Sequence, residues 1–118
     1  YTSLSRVTGS QRTPGFLTTM RNVKPITLAV DIGGTGLKML CLDAEGKPIT
    51  ERLRVLTPAP ATPEKVLLAL DKLKGPMPPF DRVSVGFPGV IKHGMTMLAV
   101  NLDPKWSGYP LEANLQKR

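Results

Sequence analysis

The sequence is poor in the residue types from which disulfide frameworks, zinc clusters and nucleophilic active sites are usually built. Its 118 residues include one cysteine and one histidine, and aromatic residues make up 5%. A single cysteine excludes an internal disulfide and a zinc cluster, and the apolar neighbours of Cys41 predict a buried thiol. No apolar run approaches the ~20 residues of a membrane-spanning helix. We therefore expect a protein of the reducing cytoplasm with no membrane partner.

Acidic residues are also scarce, and the formal net charge is +7. Four of the sixteen basic residues lie in residues 1–24, which contain no acidic residue, so the rest of the chain is only mildly basic. No run of lysine and arginine with interleaved aromatic residues occurs, and we expect no nucleic-acid partner. A modest positive field nevertheless suits a polyanionic substrate.

Residues 1–24 lack hydrophobic periodicity and are rich in serine, threonine and arginine, which predicts a disordered extension. Two origins for this extension stay open. It has the composition of a transit peptide, or it lies upstream of a true start at Met20. Residues 25–118 are then predicted to form the folded part.

The folded part begins with three apolar segments separated by short turns. Residues 26–32, 37–42 and about 48–55 predict three strands in an antiparallel meander. Alternate positions of the first segment are apolar, and so is Ala29, so both faces of this strand are expected to be largely buried. The turn "DAEG" at residues 43–46 has the residue preferences of a type I turn.

A helix and a fourth strand follow the meander. Residues 57–63, "TPAPATP", predict a stiff linker, and Thr62 is suited to cap a helix over residues 63–74. A strand at residues 82–87, reached through this helix, should run parallel to its neighbour. A short hairpin with "HG" at its tip and a second helix over residues 110–117 complete the prediction.

The turn "DIGGTGLK" at residues 31–38 has the composition of an anion site between two strands. Its spacing matches neither a P-loop nor a dinucleotide-binding loop. Glycines allow positive φ and remove side chains, so backbone N–H groups can converge on an anion, and Thr35 adds a hydroxyl. Asp31 would repel a bare phosphate but suits one bound through Mg²⁺, and Lys38 adds positive charge. A plain tight hairpin, with Asp31 hydrogen-bonded to the turn, remains the alternative.

Three motifs resemble a known family. "DIGGTGLK" is similar to the first phosphate motif of the sugar kinase, heat-shock ATPase and actin superfamily, in the form used by the repressor, open-reading-frame and kinase (ROK) family. "VGFPGVIKHG" and "NLDPKW" resemble the polyphosphate glucokinases of that family. The resemblance covers residues 26–118 and implies an α/β, ribonuclease-H-like first lobe of the actin and hexokinase type. In it, the meander is extended by a parallel strand through a helix, and the lobe is incomplete.

The resemblance also implies roles for particular residues. Asp31 would position Mg²⁺ through water, and Gly89 and Asn101 would contact the sugar. The residues implied to hold the phosphate donor are Gly33, Gly34, Thr35, Gly36 and Lys38. Trp106 would either wall the sugar cleft or brace its loop.

Each of these roles has a structural alternative. Pro88 and Gly89 also suit a plain turn at the end of a strand, and Asn101 suits a cap within its own loop. The single histidine, His93, is expected at an exposed hairpin tip rather than in a catalytic role. Lys92 and Lys105 are expected to be ordinary solvated side chains.

The activity implied by the resemblance is phosphoryl transfer from inorganic polyphosphate or ATP to glucose, giving glucose 6-phosphate, in a protein that is a homodimer when complete. An ATP-only hexose kinase of the same family is the alternative, and a sugar-responsive repressor is a weaker one. The family's catalytic base is the aspartate of an Asn-Asp-Ala motif on a later strand, so the base is expected beyond Arg118. We therefore expect no catalytic residue in these 118 residues, and no activity from them alone.

Overall fold

The structure is a computed structural model, and it describes residues 2–7, 24–99 and 101–118, with side chains from residue 24 onward except at 98 and 99. Five strands form one mixed sheet in the order β1-β5-β2-β3-β4. The strands of this sheet are β1 (Thr2–Val7), β2 (Thr27–Ile32), β3 (Gly36–Leu42), β4 (Leu53–Leu56) and β5 (Arg82–Phe87).

The predicted antiparallel meander is present as β2, β3 and β4. Asp43 accepts hydrogen bonds from the N–H groups of Glu45 and Lys47, and the Gly46 N–H donates to its carbonyl, as expected of the predicted turn. The third strand is shorter than predicted. It covers only Leu53–Leu56, and Pro48 forms a single isolated bridge with Leu42. Proline has no N–H to donate, which limits how far the ladder extends there.

The first helix, α1, spans Pro63–Lys74, the predicted bounds. The Thr62 hydroxyl accepts a hydrogen bond from the Lys65 N–H at 3.4 Å, which caps the first turn. Its apolar stripe is buried against one face of the sheet, and the stripe consists of Val66, Leu67, Leu70 and Leu73. Burial of such a stripe supplies most of the stability of a helix of this length.

The predicted fourth strand is also confirmed. β5 follows α1 and pairs in parallel with β2, and Thr27 lies opposite Arg82 at the start of the ladder. Because the two strands are parallel, their carboxyl ends meet at the same edge of the sheet. The glycine turn that follows β2 and the "FPG" segment that follows β5 therefore lie at one edge.

The predicted disorder of residues 1–24 is wrong for Thr2–Val7. This segment forms β1 and pairs antiparallel with β5, from Thr2 opposite Phe87 to Val7 opposite Arg82. A strand on an otherwise open edge is held by backbone hydrogen bonds, so it does not require the side-chain periodicity on which the prediction relied. Residues 8–23 lie outside the described part of the chain.

The segment after β5 forms a smaller layer beside the sheet. It consists of β6 (Gly89–Lys92), β7 (Met95–Ala99), a 3-10 helix (Pro104–Trp106) and α2 (Leu111–Gln116). His93 and Gly94 form the predicted hairpin tip, both with positive φ. The predicted second helix is thus present with slightly shorter bounds. None of the helices in the described ranges is long and apolar enough to cross a membrane.

The two faces of the sheet differ in burial. The face toward α1 is closed, and its members on the central strands are Leu28, Val30, Ile32, Leu37, Met39 and Cys41. On the opposite face Ala29, Asp31, Lys38 and Leu40 are only partly buried. The prediction that both faces of the first strand are largely buried is therefore wrong, and the partly open face is the one that carries charge.

Candidate functional site

The turn between β2 and β3 is closed by a hydrogen bond from the Gly33 N–H to the Gly36 carbonyl at 3.0 Å. A Cβ on Gly33 would lie 2.8 Å from that carbonyl oxygen, so a side chain there would break the turn. We expected positive φ at these glycines, but none of Gly33, Gly34 and Gly36 has it. Their common property is instead the close approach of another group to bare backbone.

Thr57, just after β4, holds the turn from the side. Its N–H donates to the Thr35 carbonyl at 3.2 Å, and its hydroxyl donates to the Gly33 carbonyl at 2.6 Å. Both hydrogen bonds use carbonyl groups of the turn as acceptors. Thr35 itself is exposed at the tip of the turn. Sequence reasoning assigned Thr57 to a linker and missed this role, because nothing in the local pattern indicates contact with residues more than twenty positions away.

Asp31 and Lys38 lie directly opposite each other on β2 and β3. The Lys38 Nζ is 3.9 Å from the Asp31 Oδ2, and the two side chains are 35% and 43% exposed respectively. An ion pair this long and this exposed contributes at most about 1 kcal/mol. The Asp31 carboxylate therefore stays partly exposed to solvent beside Lys38.

Magnesium is the ion to test against this carboxylate. In the described residues, no group of three His, Cys, Asp or Glu side chains could hold a metal ion. Mg²⁺ in phosphate-transfer sites usually binds one or two carboxylates, substrate phosphates and water, rather than a cage made only of protein ligands. A single, partly exposed carboxylate beside the turn predicted to bind an anion fits that arrangement, and Asp31 is the residue that would hold the ion.

Asn101 lies against the glycine turn. A Cβ on Gly34 would be 2.8 Å from the Asn101 Cβ and 3.3 Å from the Asn101 carbonyl oxygen. Asn101 has a φ of 62°, a left-handed conformation that asparagine tolerates better than most residues. Two motifs that are 67 positions apart in sequence, "GGTG" and "NLDPKW", thus meet through Gly34 and Asn101.

Gly89 begins β6, two residues after β5 ends, and it is partly buried. The carboxyl end of β5 lies beside that of β2, where Asp31 is opposite Gly86. Gly89 therefore belongs to the same edge of the sheet as the glycine turn. All the residues implied by the resemblance to bind donor or sugar are thus at or near this edge.

Trp106 is buried, with 1% of its surface exposed. Its Nε1–H donates to the Ala61 carbonyl at 2.7 Å, and its ring lies 5.0 Å from the Phe87 ring and 5.4 Å from that of Tyr109. Of the two roles implied for Trp106, these contacts favour bracing the loop over lining an open sugar cleft. Asp103 accepts from the Lys105 N–H at 2.8 Å and so caps the 3-10 helix.

Arg118, the residue beyond which the catalytic base was expected, has structural contacts with the end of α1. Its guanidinium pairs with the Asp71 carboxylate, and the Lys74 Nζ donates to its carbonyl at 2.6 Å. These contacts hold the segment after α2 against the last turn of α1 and involve no residue of the glycine turn. The position of the base concerns a segment after Arg118, so it stays a prediction.

The remaining candidates also have structural rather than chemical surroundings. His93, Lys92 and Lys105 are exposed, as predicted. Cys41 is fully buried as predicted, and burial raises the pKa of its thiol to about 11. A thiol with such a pKa is protonated at neutral pH and is a poor nucleophile.

Comparison with known proteins matches the part of the chain that contains these motifs. The sequence profile of the ROK family matches residues 27–118. Polyphosphate glucokinase of Mycobacterium tuberculosis (strain H37Rv) is 34% identical over 106 residues, which is 84% of this chain and 36% of that protein. N-acetylmannosamine kinase of Escherichia coli (strain K12) is 41% identical over 76 residues, covering 64% of this chain and 25% of that protein.

Solved structures agree with this result. An inorganic polyphosphate/ATP-glucomannokinase from Arthrobacter sp. strain KM matches with a TM-score of 0.69 and 38% identity, covering 80% of this chain and 40% of that one. A ROK family glucokinase from Streptomyces griseus, in complex with glucose and AMPPNP, matches with a TM-score of 0.65 and 26% identity, covering 78% and 30%. The chain thus spans well under half the length of these relatives.

Proposed function

This chain belongs to the ROK family, as its "DIGGTGLK" motif predicted, and has the α/β first-lobe fold of the sugar kinases in that family. From that premise we propose that it is the part of a glucokinase that binds the phosphate donor and one side of the sugar. The complete protein would transfer a phosphoryl group from inorganic polyphosphate or ATP to glucose. The product would be glucose 6-phosphate.

The observation that carries this proposal is the contact between Gly34 and Asn101. Phosphoryl transfer requires donor and acceptor to be held within bonding reach of each other. The motif expected to bind the donor and the motif expected to bind the sugar are far apart in sequence but adjacent in space. A plain hairpin would not need a bare glycine where a second loop crosses it.

Each residue would contribute a separate part of the donor site. Backbone N–H groups of the turn and the Thr35 hydroxyl would donate to phosphate oxygens, and Lys38 would offset their charge. Asp31 would hold Mg²⁺, which supplies charge neutralisation at the phosphates when bound. Gly89 and Asn101 would contact the sugar, with Asn101 offering its amide to a hydroxyl.

A general base for the sugar hydroxyl is not among these side chains. Asp103, the carboxylate of the sugar motif, is used as a helix cap, and we expect the base from a segment beyond Arg118. The isolated chain should therefore bind ligands without turnover. Phosphoryl transfer by the isolated chain would contradict this division of roles.

The test uses the complete gene product that contains this chain, with glucose, Mg²⁺ and either polyphosphate or ATP. We expect glucose 6-phosphate to form, and Asp31→Asn to lower kcat/KM by at least about tenfold because it removes the charge that would hold the metal. Glu51→Gln is the matched control, since Glu51 is an exposed carboxylate outside the turn. No product with either donor would overturn the proposal.

Asn101→Gly tests the sugar side separately. Glycine accepts a φ of 62° without strain, so this change removes the amide and leaves the backbone intact. We expect a higher KM for glucose with an unchanged KM for the donor. Equal increases in the KM for glucose and the KM for the donor would indicate that Asn101 supports the turn and does not contact sugar.

A second candidate function is an ATP-only hexose kinase acting on another sugar. The 41% identity to N-acetylmannosamine kinase over 76 residues favours it. Assaying glucose and N-acetylmannosamine against both donors distinguishes the two. Turnover confined to ATP would favour the second candidate.

A further inference from the structure

Arg54, on β4, extends a row of charged residues across the partly open face of the sheet. Asp31 lies opposite Lys38 on the neighbouring strand, and Lys38 lies opposite Arg54 on the next. Residues directly opposite each other in adjacent antiparallel strands point to the same face, with Cβ atoms about 5 Å apart. The row therefore reads carboxylate, ammonium and guanidinium on three adjacent strands.

The guanidinium of Arg54 lies over the last glycine of the turn. A Cβ on Gly36 would be 2.7 Å from one terminal nitrogen of Arg54, 2.8 Å from its Nε and 2.9 Å from its central carbon. The group therefore occupies the space that any side chain at position 36 would fill. Gly36 lets the guanidinium lie beside the backbone of the predicted anion-binding turn.

No residue in the described part of the chain pairs with the charge of Arg54. Within the described ranges, the carboxylate in this row is paired with Lys38, and Arg54 takes part in no ion pair or hydrogen bond through its side chain. Arg54 is also exposed. A guanidinium presents a planar fork of N–H donors whose spacing matches the oxygens of a phosphate. In Arg54 these donors remain available to a phosphate.

We propose that Arg54 is a binding residue for the phosphate donor and that it holds the part of a phosphoanhydride chain away from the reacting end. Gly34 is beside Asn101, and Gly36 is beside Arg54. The turn thus has a sugar side and an arginine side. The reacting phosphoryl group lies at the first, and the following phosphates pass over Gly36 toward Arg54 and Lys38.

This inference rests on the proposed function, because it needs the turn to bind phosphates. The shared chemistry is a linear chain of phosphoanhydrides, which both ATP and inorganic polyphosphate contain. In ATP the chain ends in a nucleoside. Polyphosphate continues, so a longer chain has more phosphates within reach of Arg54.

The experiment measures binding to the complete gene product by calorimetry with sodium tripolyphosphate, and separately with ATP, both in the presence of Mg²⁺. Arg54→Gln is compared with Arg52→Gln, which removes the same charge from an exposed position two residues further from Gly36. We expect Arg54→Gln to weaken tripolyphosphate binding by about tenfold or more, since charge-assisted hydrogen bonds are lost. Arg52→Gln should leave the affinity for tripolyphosphate within about twofold of the wild type, because an exposed charge away from the turn contributes little.

A second variant tests the position of the guanidinium without removing it. Gly36→Ala places a methyl group where Arg54 lies, and the arginine can move aside because its end is flexible. We expect the Gly36→Ala protein to fold and to bind tripolyphosphate more weakly than the wild type. The double variant Gly36→Ala/Arg54→Gln should bind tripolyphosphate no more weakly than the weaker-binding of the two single variants. Circular dichroism checks that each variant is folded.

The outcomes separate this inference from the proposed function. Equal binding by Arg54→Gln and Arg52→Gln, with normal glucose phosphorylation by the wild type, overturns the role of Arg54 alone. Tripolyphosphate binding that depends on Arg54, without glucose phosphorylation, overturns the proposed function alone. A wild type that binds neither ligand overturns both. A larger loss for tripolyphosphate than for ATP identifies polyphosphate as the donor that uses Arg54 most.

Discussion

Replacing Gly34 by alanine is the change most directly predicted from the structure. The added methyl group would lie 2.8 Å from the Asn101 Cβ, whereas ordinary contacts of this kind are 3.4 to 4 Å. One of the two loops must therefore retreat by roughly 0.6 Å or more. The Asn101 carbonyl, at 3.3 Å, is also tight, so a rotation of one side chain does not relieve the contact.

Overpacking of this size costs about 1–3 kcal/mol. In a domain of this length each kcal/mol lowers Tm by roughly 4–8 °C, which a thermal melt resolves easily. The fluorescence of Trp106 is a suitable probe in the isolated chain, because it is the single tryptophan of these 118 residues and is buried. We expect a lower Tm and, in the complete kinase, a KM for glucose that rises more than the KM for the donor, because the Asn101 loop is displaced.

Gly75→Ala is the matched control for this change. A Cβ on Gly75 would meet only the Lys72 carbonyl at 3.4 Å, and φ at this residue is −48°, so alanine fits. It should leave the protein as stable as the wild type or up to about 1 kcal/mol more stable. The double variant Gly34→Ala/Asn101→Gly removes the clashing Cβ and should recover part of the lost Tm without restoring glucose affinity. If Gly34→Ala instead has the same Tm as Gly75→Ala, the two loops are not in contact and the reasoning fails.

Three further changes test two supports of the site and one residue of the core. Thr57→Val removes the hydroxyl that donates to the Gly33 carbonyl and should lower the free energy of unfolding by about 1 kcal/mol in urea titrations; an unchanged midpoint would contradict the bracing role. Trp106→Phe keeps an aromatic ring but loses the indole N–H that donates to the Ala61 carbonyl and leaves buried space unfilled, so circular dichroism melts should show a loss of at least about 2 kcal/mol, and a wild-type melt would refute it. Cys41 has its pKa raised to about 11 from 9.0, so its contribution is present below pH 9 and lost as the pH approaches 11, by at most about 3 kcal/mol. Cys41→Ala should lack this pH slope, and equal slopes would be inconsistent with a buried thiol.

The local features of the fold were predictable from sequence. The Thr62 cap, the proline after it and an apolar stripe at helical spacing predict the helix over Pro63–Lys74. The meander and the fourth strand follow from short apolar segments and turn residues. These signals come from residues close together in sequence, which is why their bounds were accurate to within a few positions except at β4.

What the sequence did not predict depends on contacts between distant residues. β1 is paired through backbone groups on an edge of β5, and its side chains carry no periodic signal. Thr57 and Arg54 act on a turn about twenty positions earlier, from a segment that looked like an ordinary strand and linker. The register of β4 against β3 decides both roles, and register is set by the whole sheet rather than by the strand itself.

The glycines of the turn have a different structural reason from the one predicted from sequence. Gly34 and Gly36 were expected to supply unusual backbone angles, yet neither has positive φ. Each is instead the point where a different distant group approaches, Asn101 at the first and Arg54 at the second. We therefore expect a substitution at Gly34 to weaken sugar binding more than donor binding, and a substitution at Gly36 to weaken donor binding more than sugar binding. Under the proposed function, the order of the two glycines along the turn would set the order of sugar and donor, which a turn chosen only for its backbone flexibility would not do.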